Sequence, residues 1–70
     1  MKAKLEYKHG WLLNIPTTGN APMLFMEWIS EFRSGAMPIQ KVINGDTFQV
    51  RFNIGKSEIE KCAEYINNNL

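Results

Sequence analysis

From Ala3 to Ile15 the odd positions read Ala3, Leu5, Tyr7, His9, Trp11, Leu13 and Ile15. The even positions read Lys4, Glu6, Lys8, Gly10, Leu12 and Asn14. An apolar residue at every second position marks a strand with one face turned to a core. One strand of that length would be unusual, and Gly10 interrupts it. A three-residue turn at Lys8-His9-Gly10, with Gly10 in the left-handed conformation, resolves the difficulty. Tyr7 then faces Trp11, Leu5 faces Leu13 and Ala3 faces Ile15, so the apolar residues share a face. A two-residue turn at His9-Gly10 would pair Glu6 with Leu13 and mix the faces.

Pro16-Thr17-Thr18-Gly19-Asn20 reads as a loop. Asn20 can cap a following helix, and Pro22 is tolerated in its first turn. At 100° per residue, with Pro22 at 0°, Leu24, Phe25, Trp28, Ile29 and Phe32 fall between about 200° and 340°. The helix is predicted over 21–34, with Gly35 as the residue after its end and Pro38 preventing resumption. A second hairpin follows. Strand-like runs over 39–44 and 47–54 flank Asn44-Gly45-Asp46, and Asn-Gly between such runs is a strong hairpin signal. Phe48, Val50, Phe52 and Ile54 alternate with Thr47, Gln49, Arg51 and Asn53. A two-residue loop at either Asn44-Gly45 or Gly45-Asp46 keeps Ile39 and Ile43 on the phenylalanine face. Last, Ser57-Glu58-Ile59-Glu60 has the form of a capping box. Ile59, Cys62, Ala63, Ile66 and Leu70 make one helical stripe opposite Glu58, Glu60, Lys61, Glu64 and Asn68.

The fold expected is α+β: a single small domain over residues 1–70, ordered ββαββα, with antiparallel hairpins in one sheet and two helices packed on one face. The halves share a pattern without the sequence identity of a repeat. If strands two and three run parallel in one sheet, their helical crossover should be right-handed.

Composition supports a folded chain. Of 70 residues, 44% are hydrophobic and 11% aromatic, enough for a compact core and too many for disorder. At this length the core is marginal, and association would help it. Eight basic and seven acidic residues leave a net charge of +1. That balance argues against an acidic nucleic-acid mimic and against a strongly basic duplex binder. A single cysteine, Cys62, excludes an internal disulfide and a cysteine-based zinc site. Met1-Lys2-Ala3-Lys4 leads into an alternating segment and not an apolar signal region, and no apolar run is long enough to span a bilayer. A soluble, cytoplasmic protein is expected, with no membrane partner.

No chemistry announces itself. His9, the only histidine, falls in a turn, and Cys62 falls on a core stripe without a histidine at helical spacing. The acidic residues are dispersed, and the glycines stand singly at turns, so no phosphate cradle or metal set is present in the pattern. An enzyme, a cofactor and a small-molecule substrate are not expected. The outer sheet face would carry Lys2, Lys4, Glu6, Asn14, Gln40, Gln49, Arg51 and Asn53. Of these, Lys2, Lys4, Gln49, Arg51 and Asn53 are the candidate contacts for nucleic acid. Nearly all aromatics alternate inward, so stacking platforms are lacking and any such binding should be weak.

Six apolar residues exceed what the core requires. Met26 falls near about 40° and Met23 near about 100° on the first helix, outside its apolar stripe. Leu12 and Val42 point to the polar side of the sheet, Met37 lies in a loop, and Tyr65 sits at the edge of the second stripe. Methionines adapt well to partner surfaces. Met23, Met26 and Met37, with Glu27 and Arg33 as a polar rim, are the candidate protein-contact residues. The expected function is that of a non-enzymatic protein-binding module, occupying a surface on a larger partner or forming a homodimer. Phages and mobile elements use small, motif-free domains of this kind as inhibitors of host machinery. The alternative is a nucleic-acid-binding accessory protein using the outer sheet face.

Overall fold

The first turn is set by glycine and by a distant arginine. In the computed structural model, which describes residues 2–32, 38–52 and 55–70 (backbone alone for 32 and 38–41), strands β1 (Lys4–Tyr7) and β2 (Trp11–Pro16) pair antiparallel. Tyr7 faces Trp11 and Leu5 faces Leu13, the register of a three-residue turn. The left-handed residue, however, is His9, with φ 58°, and Gly10 follows with φ 129°, a region open in practice to glycine. A Cβ on Gly10 would stand 2.9 Å from Arg51 Nη1. Arg51 Nη2 donates to the Lys8 carbonyl at 2.8 Å. A residue of the second hairpin thus braces the turn of the first.

Strands β3 (Pro38–Asn44) and β4 (Thr47–Phe52) form that second hairpin, with Asn44 opposite Thr47 and Ile43 opposite Phe48. The loop is Gly45-Asp46. Gly45 has φ 68° at the first central position, as a type II′ turn requires. The ladder shifts register between Pro38 and Gln40. β2 pairs antiparallel with β4, Leu13 against Val50 and Ile15 against Phe48, giving the order β1-β2-β4-β3. β2 and β3 therefore run parallel with β4 between them, and helix α1 (Ala21–Phe32) is the crossover.

Both helices cover one face. Leu24, Phe25 and Trp28 of α1 are buried against Leu13, Ile15, Phe48, Val50 and Phe52 of the sheet. Phe25 meets Phe48 edge-on at 5.7 Å between centroids, and Trp28 meets Phe52 in the same manner at 6.5 Å. Ile59, Cys62, Ala63 and Ile66 of helix α2 (Lys56–Asn69) complete the core. Asn67 ties α2 to the start of the chain: its Oδ1 accepts from the Ala3 N–H at 2.8 Å, and its Nδ2 donates to the Ala3 carbonyl at 3.0 Å.

Several expectations are corrected. The α2 cap is Gly55, in extended conformation and without a side-chain hydrogen bond, so Ser57 lies inside the first turn and no capping box forms. The Gly55 carbonyl accepts from the Glu58 and Ile59 amides at 3.2 Å, and Glu60 faces Lys56 at 3.5 Å instead of reaching back. Leu70 lies beyond the helix and is exposed. Leu12 points to the polar side of the sheet yet is only 4% exposed. It lies between Glu6 on β1 and, one step along the β2–β4 register, Arg51, whose stem crosses the sheet toward Lys8. Ile43 does share the face of Phe48, but it is 74% exposed because it stands on an edge strand beyond the helices. Expectations for Ser34, Gly35 and Ile54, and for the side chains of Phe32, Ile39 and Gln40, lie outside the described residues.

Ser57→Ala should change stability by no more than about 0.5 kcal/mol in urea denaturation. Loss of a true capping hydroxyl would cost about 1 kcal/mol. Gly10→Ala should cost about 1–3 kcal/mol, because alanine must hold a positive φ beside the Arg51 guanidinium.

Candidate functional site

The rotation of α1 about its axis decides which side chains reach its two flanks. With Pro22 at 0°, Phe25 stands near 300° and Met26 near about 40°, toward β3 and β4, whereas Glu27 near 140° turns toward α2. The contacts agree. Thr17, Pro22, Phe25, Met26, Ile43 and Phe48 line an open hollow of about 240 Å³ between the start of α1 and the end of the second hairpin. Its floor is apolar, made by Phe25 and Phe48, both buried. Its rims are Met26 on the helix, 61% exposed, and Ile43 on β3.

Met23 is also exposed, at 57%, but does not line the hollow. Glu27 belongs to the opposite flank, where Tyr65 Oη donates to its Oε1. That hydrogen bond, more than desolvation or the neighbouring charges of Glu27 and Glu31, raises the Tyr65 phenol above its ordinary value. Arg33, Met37 and Asn53 lie outside the described residues. Ile43 is the residue that sequence reasoning assigned to the core and the structure brings to the surface beside Met26. Only the strand order carries that information.

The outer sheet face is polar, as expected, but much of its polarity is internally engaged. Lys4, Asn14, Gln49 and Val42 form one row across the four strands. Asn14 Nδ2 donates to Glu6 Oε1 at 2.8 Å, and Arg51 is held by the Lys8 carbonyl. Lys2 and Lys4 are exposed, whereas Gln49 and Arg51 are half-buried. A shallow groove of about 170 Å³ runs over Lys8, Leu12, Val42, Gln49 and Arg51.

Among the described residues, neither face assembles reactive groups. His9 is an exposed turn residue. The Cys62 thiol is fully buried, and burial pushes it up to about 12. Among the described residues, no three His, Cys, Asp or Glu side chains are grouped to hold a metal ion. No described helix is long and apolar enough to cross a membrane. Comparison with protein-family models, with curated proteins and with solved structures returns no match. The chemistry of the surface is therefore the guide to function.

Cys62 should resist alkylation in the native protein at pH 8 and react only on unfolding, as mass spectrometry of iodoacetamide-treated samples can read. Its folded value lies above the ordinary 9.0, so the unfolded chain loses that proton first. The contribution is intact below pH 9 and declines as pH rises toward about 12. Cys62→Ala should flatten the alkaline fall of the urea midpoint.

Proposed function

We propose that this chain is a non-enzymatic protein-binding module that acts by occupying a surface on a larger partner. The observation that carries the reading is the pair Met26 and Ile43, both mostly exposed, on opposite rims of an apolar-floored hollow. Single exposed apolar residues are ordinary. Two on facing elements, with buried phenylalanines beneath them, make a concave patch that a partner's apolar side chain can fill. Met23, one turn earlier on the same helix, extends the patch over the helix surface. Thioether flexibility suits such a surface to an imperfectly matched partner.

Burying a methionine at an interface stabilises by roughly 1.5–3 kcal/mol, which corresponds to a tenfold effect or more. The test uses the double variant Met23→Gln, Met26→Gln. Both positions are exposed, so stability should hold within about 0.5 kcal/mol per site. Partners captured by the wild-type chain from its native host should be lost by the variant, and a purified partner should bind it at least about tenfold more weakly. A large fall in thermal stability with capture unchanged would make these methionines structural and remove the reading.

The row of Lys4, Asn14 and Gln49 supports a second reading, contact of the outer face with nucleic acid. With Arg51 held by the Lys8 carbonyl and Glu6 on the same face, few cations remain to displace counterions. Binding should be weak and its salt slope shallow. Sub-micromolar affinity for RNA or DNA at about 150 mM salt, abolished by Lys2→Glu with Lys4→Glu, would place this reading first.

A further inference from the structure

The two edges of the sheet are treated unequally. β1 is four residues long, carries Lys4 and Glu6, and enters through Ala3, whose N–H and carbonyl are both taken by the Asn67 amide. A side chain there stands where a neighbouring strand would pair. Short length, charge and cover are the ordinary protections of an edge. β3 is seven residues long. Pro38 and the register shift blunt its start, and at its far end the Thr47 hydroxyl donates to the Asn44 carbonyl at 3.1 Å, but among the described residues no side chain bonds the backbone of Lys41, Val42 or Ile43.

The direction of its free groups follows from one hydrogen bond. Thr17 N–H donates to the Asp46 carbonyl at 2.9 Å, so Asp46 faces β2. Alternation along β4 then turns Phe48 and Val50 toward β2, and Thr47, Gln49 and Arg51 toward β3. Their partners Asn44, Val42 and Gln40 bond inward. Ile43 and Lys41 are left with N–H and carbonyl directed at the open edge, one on each side of Val42.

We propose that this edge pairs antiparallel with the same edge of a second copy, about a two-fold axis at Val42. In that register Ile43 exchanges hydrogen bonds with the partner's Lys41, and Lys41 does so with the partner's Ile43, which satisfies all four groups. Val42 meets the partner's Val42 as a close, non-hydrogen-bonded pair on the outer face, a favourable match for β-branched side chains. Val42 is 44% exposed in the single chain and Ile43 more so, so each face gains apolar cover. The two sheets become one of eight strands, and the two hollows beside Met26 and Ile43 are brought to the same side of it. This inference goes beyond the proposed hollow, because its affinity comes from backbone groups of β3 and not from the methionines.

Sedimentation analysis across the micromolar range tests it. The wild-type chain is expected to dimerise reversibly. Ile43→Pro removes an N–H that points away from β4, so the monomer's own ladder survives and dimerisation is lost. Val42→Lys places two cations at the axis and should also give a monomer, with circular dichroism and thermal midpoint retained. Val42→Cys should form a disulfide-linked dimer on mild oxidation, since about 4.5 Å between Cα atoms is within bridging range. Cys62, buried and protonated, does not compete. Met23→Cys, on the surface of α1, should not cross-link. A wild-type chain that stays monomeric throughout, or a dimer that persists in both Ile43→Pro and Val42→Lys, overturns the proposal. So does cross-linking through Met23→Cys in place of Val42→Cys, which would instead locate association on the surface of α1 near the hollow.

Discussion

The pairing of β2 with β4 is the contact on which the rest depends. Each hairpin alone is a two-stranded ribbon, marginal in water. Joined through Leu13 against Val50, both fully buried, they become a four-stranded sheet with a continuous apolar face. Chain order then dictates the rest. β2 and β4 occupy the centre, so β1 and β3 are edges, and α1 must carry the chain from a central strand to an edge across the face of β4. Phe25 and Trp28 find Phe48 and Phe52 because of that path. Arg51 secures the same junction from the other side, since it can reach the Lys8 carbonyl only when the two hairpins are adjacent.

Two short helices cannot cover four strands evenly. α2 lies over β1 and β2, and Asn67 fastens it to the β1 end. α1 lies over the centre. The helix-facing side of β3 is left at the margin, and its Ile43 projects beyond the cover. The exposure of Met26 and that of Ile43 are one geometric fact seen from two elements, the gap between the crossover helix and the edge strand. An apolar hollow there follows from the topology, and the buried phenylalanines beneath it keep its floor rigid.

What the sequence made legible was whatever depends on period. Alternation through Gly10 located the first hairpin and its register, and the Ile59, Cys62, Ala63, Ile66 stripe located α2. The angular position of Met23 and Met26 by itself places them outside the α1 stripe. Features that depend on a second element were not legible. Leu12 reads as exposed because its cover is Arg51, thirty-nine positions away. Ile43 reads as core because its alternation is correct, and only the strand order shows it at an edge. The Ser57 capping box failed for a local reason: Gly55, in an extended conformation two residues earlier, already presents its carbonyl to the first helical amides.

Arg51 shows how structure redirects an electrostatic signal. In the sequence it is a cation among amides on a flat sheet face, and so a candidate for phosphate. In the fold its guanidinium is held by a carbonyl at a glycine turn, and it stands one step along the β2–β4 register beside the buried Leu12. Recruiting it to a ligand would unbrace the first turn and expose Leu12, so its charge is coupled to the stability of the sheet. The exposed apolar groups at Met26, Val42 and Ile43 are under no such constraint. Covering them costs the fold nothing, and any species that binds the folded chain there stabilises it by mass action. For a domain of seventy residues with a core on one sheet face, a partner bound at the β3 margin would by that coupling contribute to folding as well as to recognition.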